Sequence, residues 1–161
     1  KGAVYFYFRS KEAILLELLK AAEAIAINPA SEKLKASSPS PVERLVQFFH
    51  SQSQLSVTNG SQILLLILMS LEFKGANTDT AKYLYEILDR LYSQLEQTVL
   101  EGQHANAIRN DVSARELSAV LMALHDGTFL EWYKRDATLR GPELTRAVRI
   151  VVLGGLVTES V

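Results

Sequence analysis

Lys1-Gly-Ala-Val-Tyr-Phe-Tyr-Phe-Arg-Ser-Lys-Glu-Ala-Ile-Leu15 carries two helix signals back to back. Val4 to Phe8 crowd four aromatics and a valine into five positions, and Ser10 is a good N-cap for the apolar-periodic stretch that opens at Ala13. One helix therefore ends near Phe8 and another starts near Ser10. On the first, Tyr5 and Tyr7 place phenolic hydroxyls on an otherwise apolar run, and Lys1, Arg9 and Lys11 bracket it with positive charge, a combination suited to phosphate contacts. The same tyrosines could serve as half-buried core aromatics, as aromatics at helical spacing usually do. The charges beside them favour the phosphate reading.

Gly2, Tyr5, Tyr7, Phe8, Ser10, Lys11 and Glu12 fall on the pattern Gly-x-x-Tyr-x-Tyr/His-Phe running into Ser-Lys-Glu-x-Leu. The segment thereby resembles the signature of the TetR (tetracycline-repressor) family of bacterial transcription regulators. The resemblance implies a DNA-reading role for Lys1, Gly2, Ala3, Tyr5, Tyr7 and Lys11: Gly2 and Ala3 at base edges, Tyr5, Tyr7 and Lys11 on phosphates, with Val4, Phe6 and Phe8 in the core. A helix-turn-helix also needs a first helix that crosses the DNA backbone, and family members add one more before it. The sequence starts inside the recognition helix, without an initiator Met. Residues 1–9 are thus read as the C-terminal part of that helix and residues 10–161 as a ligand-binding and dimerisation domain. Operator binding is expected only with the missing N-terminal helices.

The 161 residues suffice for one well-buried domain, and 48% hydrophobic with 22% charged residues is ordinary for a globular protein. A net charge of −1 gives no basic field to draw nucleic acid nonspecifically. The absence of cysteine excludes disulfides, thiolate nucleophiles and cysteine-held metals. The most apolar run, Ile63 to Met69, is far shorter than the roughly 20 residues a bilayer demands and reads as a buried helix. A cytoplasmic protein without membrane contact is expected.

Every long segment has helical periodicity and none has sustained alternation, which predicts an all-α, TetR-like bundle. The first helix runs from Ser10 to about Ile27, with Asn28-Pro29 as its stop and a weakly structured connection to Pro39. Ser40-Pro41-Val42-Glu43 is a capping box that opens a second helix, closed by Thr58-Asn59-Gly60. A third covers Ser61 to about Lys74 with Gly75 as C-cap, and a fourth runs from about Thr78 to Gln103. Ser113-Ala114-Arg115-Glu116 starts a fifth, to about Arg135, and Gly141-Pro142 introduces a sixth.

The last two helices are apolar over most of their circumference, which requires cover on a second side. Gly127, Gly154 and Gly155 each cost on the order of 1 kcal/mol of helix propensity, as fits a site where another backbone comes close. These features predict a homodimer through a two-fold four-helix bundle, with Leu117, Leu121, Leu124, Gly127, Val148, Val151, Val152 and Gly155 at its interface. The alternative is a monomer with the fifth helix at its centre.

The resemblance also implies an effector pocket between the middle helices, for which Phe49, Gln52, Leu66, Met69, Phe73, Tyr92, His125 and Phe129 are the candidates. Flat aromatics, one Met and a few polar atoms suit a small apolar or aromatic effector. Each would serve equally as core packing, and His125, beside Asp126, needs a buried hydrogen-bond partner in either role. No enzyme, cofactor or metal site is expected: His50, His104 and His125 are too scattered for a zinc pair, and neighbours such as His125 and Asp126 point about 100° apart on a helix. The function expected is a ligand-responsive transcription regulator, a repressor released from operator DNA by its effector. A helical dimer acting as a scaffold without reading DNA is the alternative.

Overall fold

A computed structural model describes residues 10–35, 40–135 and 138–157. The expected recognition-helix segment, with Lys1, Gly2, Ala3, Tyr5 and Tyr7, lies outside the described residues. All regular elements described are helical: α1 (Lys11–Ala22), a π-helical turn (Glu23–Ile27), α2 (Asn28–Lys35), α3 (Pro41–Glu72), α4 (Asp79–His104), α5 (Ala114–Lys134) and α6 (Gly141–Leu156). Ser10 caps α1 as expected, accepting from the Ala13 amide at 3.1 Å.

Asn28-Pro29 does not end the first helix. Proline has no N–H to give, and its ring clashes with the carbonyl four residues back, which normally kinks or breaks a helix. Here the turn just upstream widens to π geometry, with the Asn28 amide reaching back five residues to the Glu23 carbonyl. The rod then continues through α2, which buries Ala30, Ser31 and Leu34, so the stretch read as a connection is helical as far as Lys35. Along the whole rod Leu19, Ala22, Ala26, Ile27, Ala30 and Leu34 are nearly inaccessible and form one wall of the core. Leu45 and Phe48 of α3 and Leu84, Leu95 and Val99 of α4 complete it, each worth about 1.5–3 kcal/mol of apolar burial.

The Ser40–Glu43 capping box forms with both halves present. The two helices expected on either side of Thr58-Asn59-Gly60 are joined as α3, with Asn59 as a non-helical kink (φ −137°, ψ 35°). Four hydroxyls precede that kink and return to their own helix: Ser51 to the Phe48 carbonyl, Ser53 to Phe49, Ser56 to Gln52 and Thr58 to Gln54. Such back-bonding bends helices. Beyond the kink the apolar run is one-sided rather than buried all round: Ile63 and Leu66 are buried, while Leu68 and Leu71 are 48% and 69% exposed. By length and composition α3 could cross a membrane, but its first half packs Leu45, Phe48 and Phe49 into the core of this chain and Asn59 kinks it.

After α4 the chain turns through Asn106, the one described non-glycine residue with positive φ (56°). Amides of Asn106 and Ala107 return to the carbonyls of Gln103 and Gly102, a Schellman cap. A Cβ on Gly102 would lie 2.8 Å from Ile108 Cγ1, so glycine lets Ile108 close over the helix end. The Arg109 amide then donates to the Leu156 carbonyl at 2.8 Å, tying the end of α6 to this turn.

Polar contacts fasten the rod to its neighbours. Buried Arg44 donates through Nη1 to the Leu34 carbonyl at 2.7 Å and through Nη2 to Glu101, joining α2, α3 and α4. Thr98 Oγ1 also donates to the Leu34 carbonyl. Glu23, on the π turn, accepts from Tyr83 and Arg90 of α4, and Glu12 accepts from Thr80 at 3.2 Å. Hydrogen bonds from Arg44 hold the Glu101 carboxyl below its usual range, and Tyr83 and then Arg90 do the same for Glu23. Burial and the bond to Glu23 push the Tyr83 phenol up to about 12.

Removing Arg44 leaves the Leu34 carbonyl at the end of α2 with only the longer Thr98 bond, opens a gap in the core, and leaves Glu101 partly solvated. Arg44→Ala is expected to lower stability by about 2–3 kcal/mol in urea unfolding, and a loss under 0.5 kcal/mol would contradict the assigned role. Because both carboxylates titrate lower folded than unfolded, their contribution is complete above the ordinary value near 4.5 and is lost as pH falls through the lowered folded values. Urea midpoints should therefore fall on acidification below about pH 5, with a shallower fall in Arg44→Ala.

Candidate functional site: a groove and an inner cavity

Two concavities meet at His125. The larger is a groove of about 780 Å³ between the first half of α3, the second half of α5 and most of α6, with Lys33 of α2 at its border. The smaller, about 40 Å³, lies between the π turn, α3, α4 and α5 and includes Gln52, Leu66, Tyr92 and Asp126. His125 lines both.

The expected ligand residues divide between them. Phe49 and Phe129 face the groove, Gln52, Leu66 and Tyr92 the inner cavity, and His125 stands between the two. Met69 and Phe73 border neither and pack against the core. Sequence reading missed Trp132, Thr128 and Val57 and the whole contribution of α6, including Leu144, Leu153, Arg146 and Arg149. Only the apolar circumference of α6 hinted at it.

His125 and Asp126 do orient one another, contrary to the expectation from helical geometry: Nδ1 lies 2.8 Å from Asp126 Oδ1. Their Cα atoms diverge, but the side chains curl together around the helix. A carboxylate only accepts, so Nδ1 is the donor in this pair, and in the neutral form of the ring Nε2 is then an acceptor. That Nε2 is buried with no hydrogen-bond partner among the described residues. The ring also lies 6.1 Å from Phe48, centroid to centroid. Nearby, burial, and then the charges of Asp126 and Asp89, push the Tyr92 phenol above its usual range.

Four of the hydroxyls along the groove are already committed. Ser51, Ser53 and Ser56 donate to carbonyls of α3, and Thr145 donates to the Gly141 carbonyl at 2.9 Å. The walls thus present Phe49, Phe129, Trp132 and Val148 as an apolar surface. Among the described residues no group of three or more His, Cys, Asp or Glu is placed to hold a metal.

The expected dimer-interface residues also divide. Leu121 and Val152, 2% and 5% exposed, belong to the core of this chain and are not available to a partner. Leu117, Leu124 and Val148 are half-buried against that core, and Val148 and Val152 also line the groove. Gly127, Val151 and Gly155 are exposed, beside Val120 on α5 and Ile150 on α6. Lys11 is exposed in the first turn of α1.

His125 Nε2 has no partner among the described residues, its ring packs on Phe48, and Asp126, the partner of Nδ1, is a third exposed and can turn to water, so an apolar ring should fit its place. His125→Phe is expected to change unfolding free energy by less than about 1 kcal/mol. A loss above about 2 kcal/mol would show that the imidazole supports the fold rather than facing an occupant.

No family model matches the chain. Among solved structures it is similar to the MbdR regulator from Azoarcus sp. CIB, at 41% identity and a TM-score of 0.86, covering 98% of this chain and 83% of that one. It shares its fold with the transcriptional regulator FadR from Bacillus subtilis in complex with stearoyl-CoA, at 23% identity and a TM-score of 0.73, covering 96% and 81%. It does so too with the TetR family transcriptional regulator PfmR from Thermus thermophilus, at 20% identity and a TM-score of 0.76, covering 95% and 80%. These relatives are transcription regulators rather than enzymes. With the opening motif, the all-α bundle and the MbdR likeness in agreement, the chain belongs to the TetR family of ligand-responsive transcription regulators.

Proposed function

We propose that the chain is the effector-binding and dimerisation part of a cytoplasmic repressor that acts as a homodimer on a palindromic operator. A small apolar or aromatic molecule in the groove releases it from DNA. The observation that carries this reading is the groove itself: about 780 Å³, apolar-walled, with the buried His125 Nε2, which has no partner among the described residues, at its inner end. That the FadR structure holds stearoyl-CoA supports the capacity of this fold to take a large apolar ligand. Phe49, Phe129 and Trp132 would pack on the effector and His125 Nε2 would accept a hydrogen bond from it. Gln52 and Tyr92 would meet a ligand that reaches the inner cavity.

Lys1, Gly2, Ala3, Tyr5, Tyr7 and Lys11 are assigned to DNA by their place in the motif, with Lys11 leading the rod that ends beside the groove. A ligand that favours one tilt of this rod changes operator affinity by its difference in affinity between the two tilts. The dimer would form through the exposed apolar face of α5 and α6, where Cβ atoms added at Gly127, Gly154 and Gly155 meet nothing within 4 Å in this chain.

Fluorescence anisotropy of the full-length protein should show salt-dependent binding to DNA from its own upstream region, saturating at two chains per site. Equal affinity for scrambled DNA from every upstream region tried would favour a scaffold. In sedimentation equilibrium, Val151→Arg is expected to weaken dimerisation by at least tenfold, since it sets two like charges in an apolar face; an undiminished dimer would place the interface elsewhere.

A further inference from the structure

The groove has a charge pattern that apolar recognition does not explain. Lys33, His50, Arg146 and Arg149 border it, and among the described residues no carboxylate does. Elsewhere many cations sit beside acids, as Lys20 with Glu17, Lys134 and Arg135 with Glu131, and Arg140 with Glu143, although exposed Lys11, Lys35, Lys74 and Arg115 do not. Lys33, Arg146 and Arg149 make no ion pair among the described residues. Glu143, one turn before Arg146, is engaged by Arg140 at 3.1 Å. Ser51, Ser53, Ser56 and Thr145 bond to their own helices, and these cations are the charged groups at the rim without an ion pair among the described residues.

We infer that the effector is an amphiphilic anion, whose apolar body lies along Phe49, Phe129 and Trp132 and whose carboxylate or phosphate end is held by Lys33, Arg146 and Arg149. The inference rests on the proposed effector site and adds the sign and position of the ligand's charge. Guanidinium groups pair with carboxylate and phosphate oxygens through two parallel N–H donors, and a lysine adds a point charge.

The placement also couples binding to regulation. Lys33 belongs to α2, the far end of the rod that begins at Lys11, whereas Arg146 and Arg149 belong to α6. An anion shared between them offsets the repulsion of like charges and joins the rod to α6. The occupied site thereby favours the rod position in which Lys33 is nearest the arginines. A neutral ligand of the same size fills the groove without making that link.

Isothermal titration calorimetry of the purified protein tests this with four ten-carbon probes kept below their micellar concentrations: decanoate, decyl phosphate, decanol and decyltrimethylammonium. At least one anion is expected to bind about tenfold or more tightly than decanol, with the cation weakest; which anion wins distinguishes a carboxylate from a phosphate ligand. In the triple variant Lys33→Gln, Arg146→Gln, Arg149→Gln, all exposed positions, anion affinity should fall to within about twofold of decanol while decanol affinity holds. Decanol binding as tightly as both anions, or an anion preference that survives the triple variant, would overturn the charge assignment and leave the groove as an apolar site. No binding of any probe would overturn both.

Discussion

A helix that passes a proline without stopping is the constraint on which this architecture rests. Pro29 cannot donate to the helical ladder and needs room at the carbonyl four residues back. The π turn from Glu23 to Ile27 supplies that room, so α1 and α2 act as one rod. Had the chain broken there, the residues that follow would have no fixed relation to the motif that precedes Lys11. The same turn carries Glu23, whose bonds to Tyr83 and Arg90 lock its rotation against α4, and its Ala26 and Ile27 form part of the inner cavity. Rod, cavity and α4 are thus mechanically adjacent.

The groove follows from how α3 is made. Its first half points Leu45, Phe48 and Phe49 toward the core, and its hydroxyls fold back on their own carbonyls. Polar residues in this way form a wall that behaves as apolar. The kink at Asn59 redirects the second half of α3, whose Ile63 and Leu66 then close the inner cavity. Buried Arg44 fixes this helix to the end of α2, so the wall of the groove and the end of the rod share one anchor.

Local signals in the sequence were legible wherever one residue decides the backbone. Ser10 and the Ser40–Glu43 box start helices as read, whereas α3 is capped at Phe73 and Gly75, with φ 81°, lies in the turn two residues beyond. Pro29 misled because its usual effect was cancelled by a change of helical pitch, which no pattern of side chains announces. Thr58-Asn59-Gly60 marks a kink within α3 rather than an end, since the chain regains helical geometry at once. The candidate site was half legible. Phe49, Phe129 and His125 were found because flat or polar residues stand out on apolar helices. The α6 side of the groove was not, because an apolar circumference does not say which side faces a cavity and which a partner: Val148 and Val152 line the groove, while Ile150 and Val151 remain exposed.

Binding in the groove should therefore move the start of α1, and that movement can be measured directly. The chain has no cysteine, so Lys11→Cys gives one spin-label site per protomer, and pulsed electron–electron resonance reports the distance between the two labels in a dimer. With a ligand whose binding to the groove is established by calorimetry, the distance distribution is expected to shift by several ångströms. Superimposable distributions at saturation would contradict coupling between groove and rod, whatever the ligand's affinity.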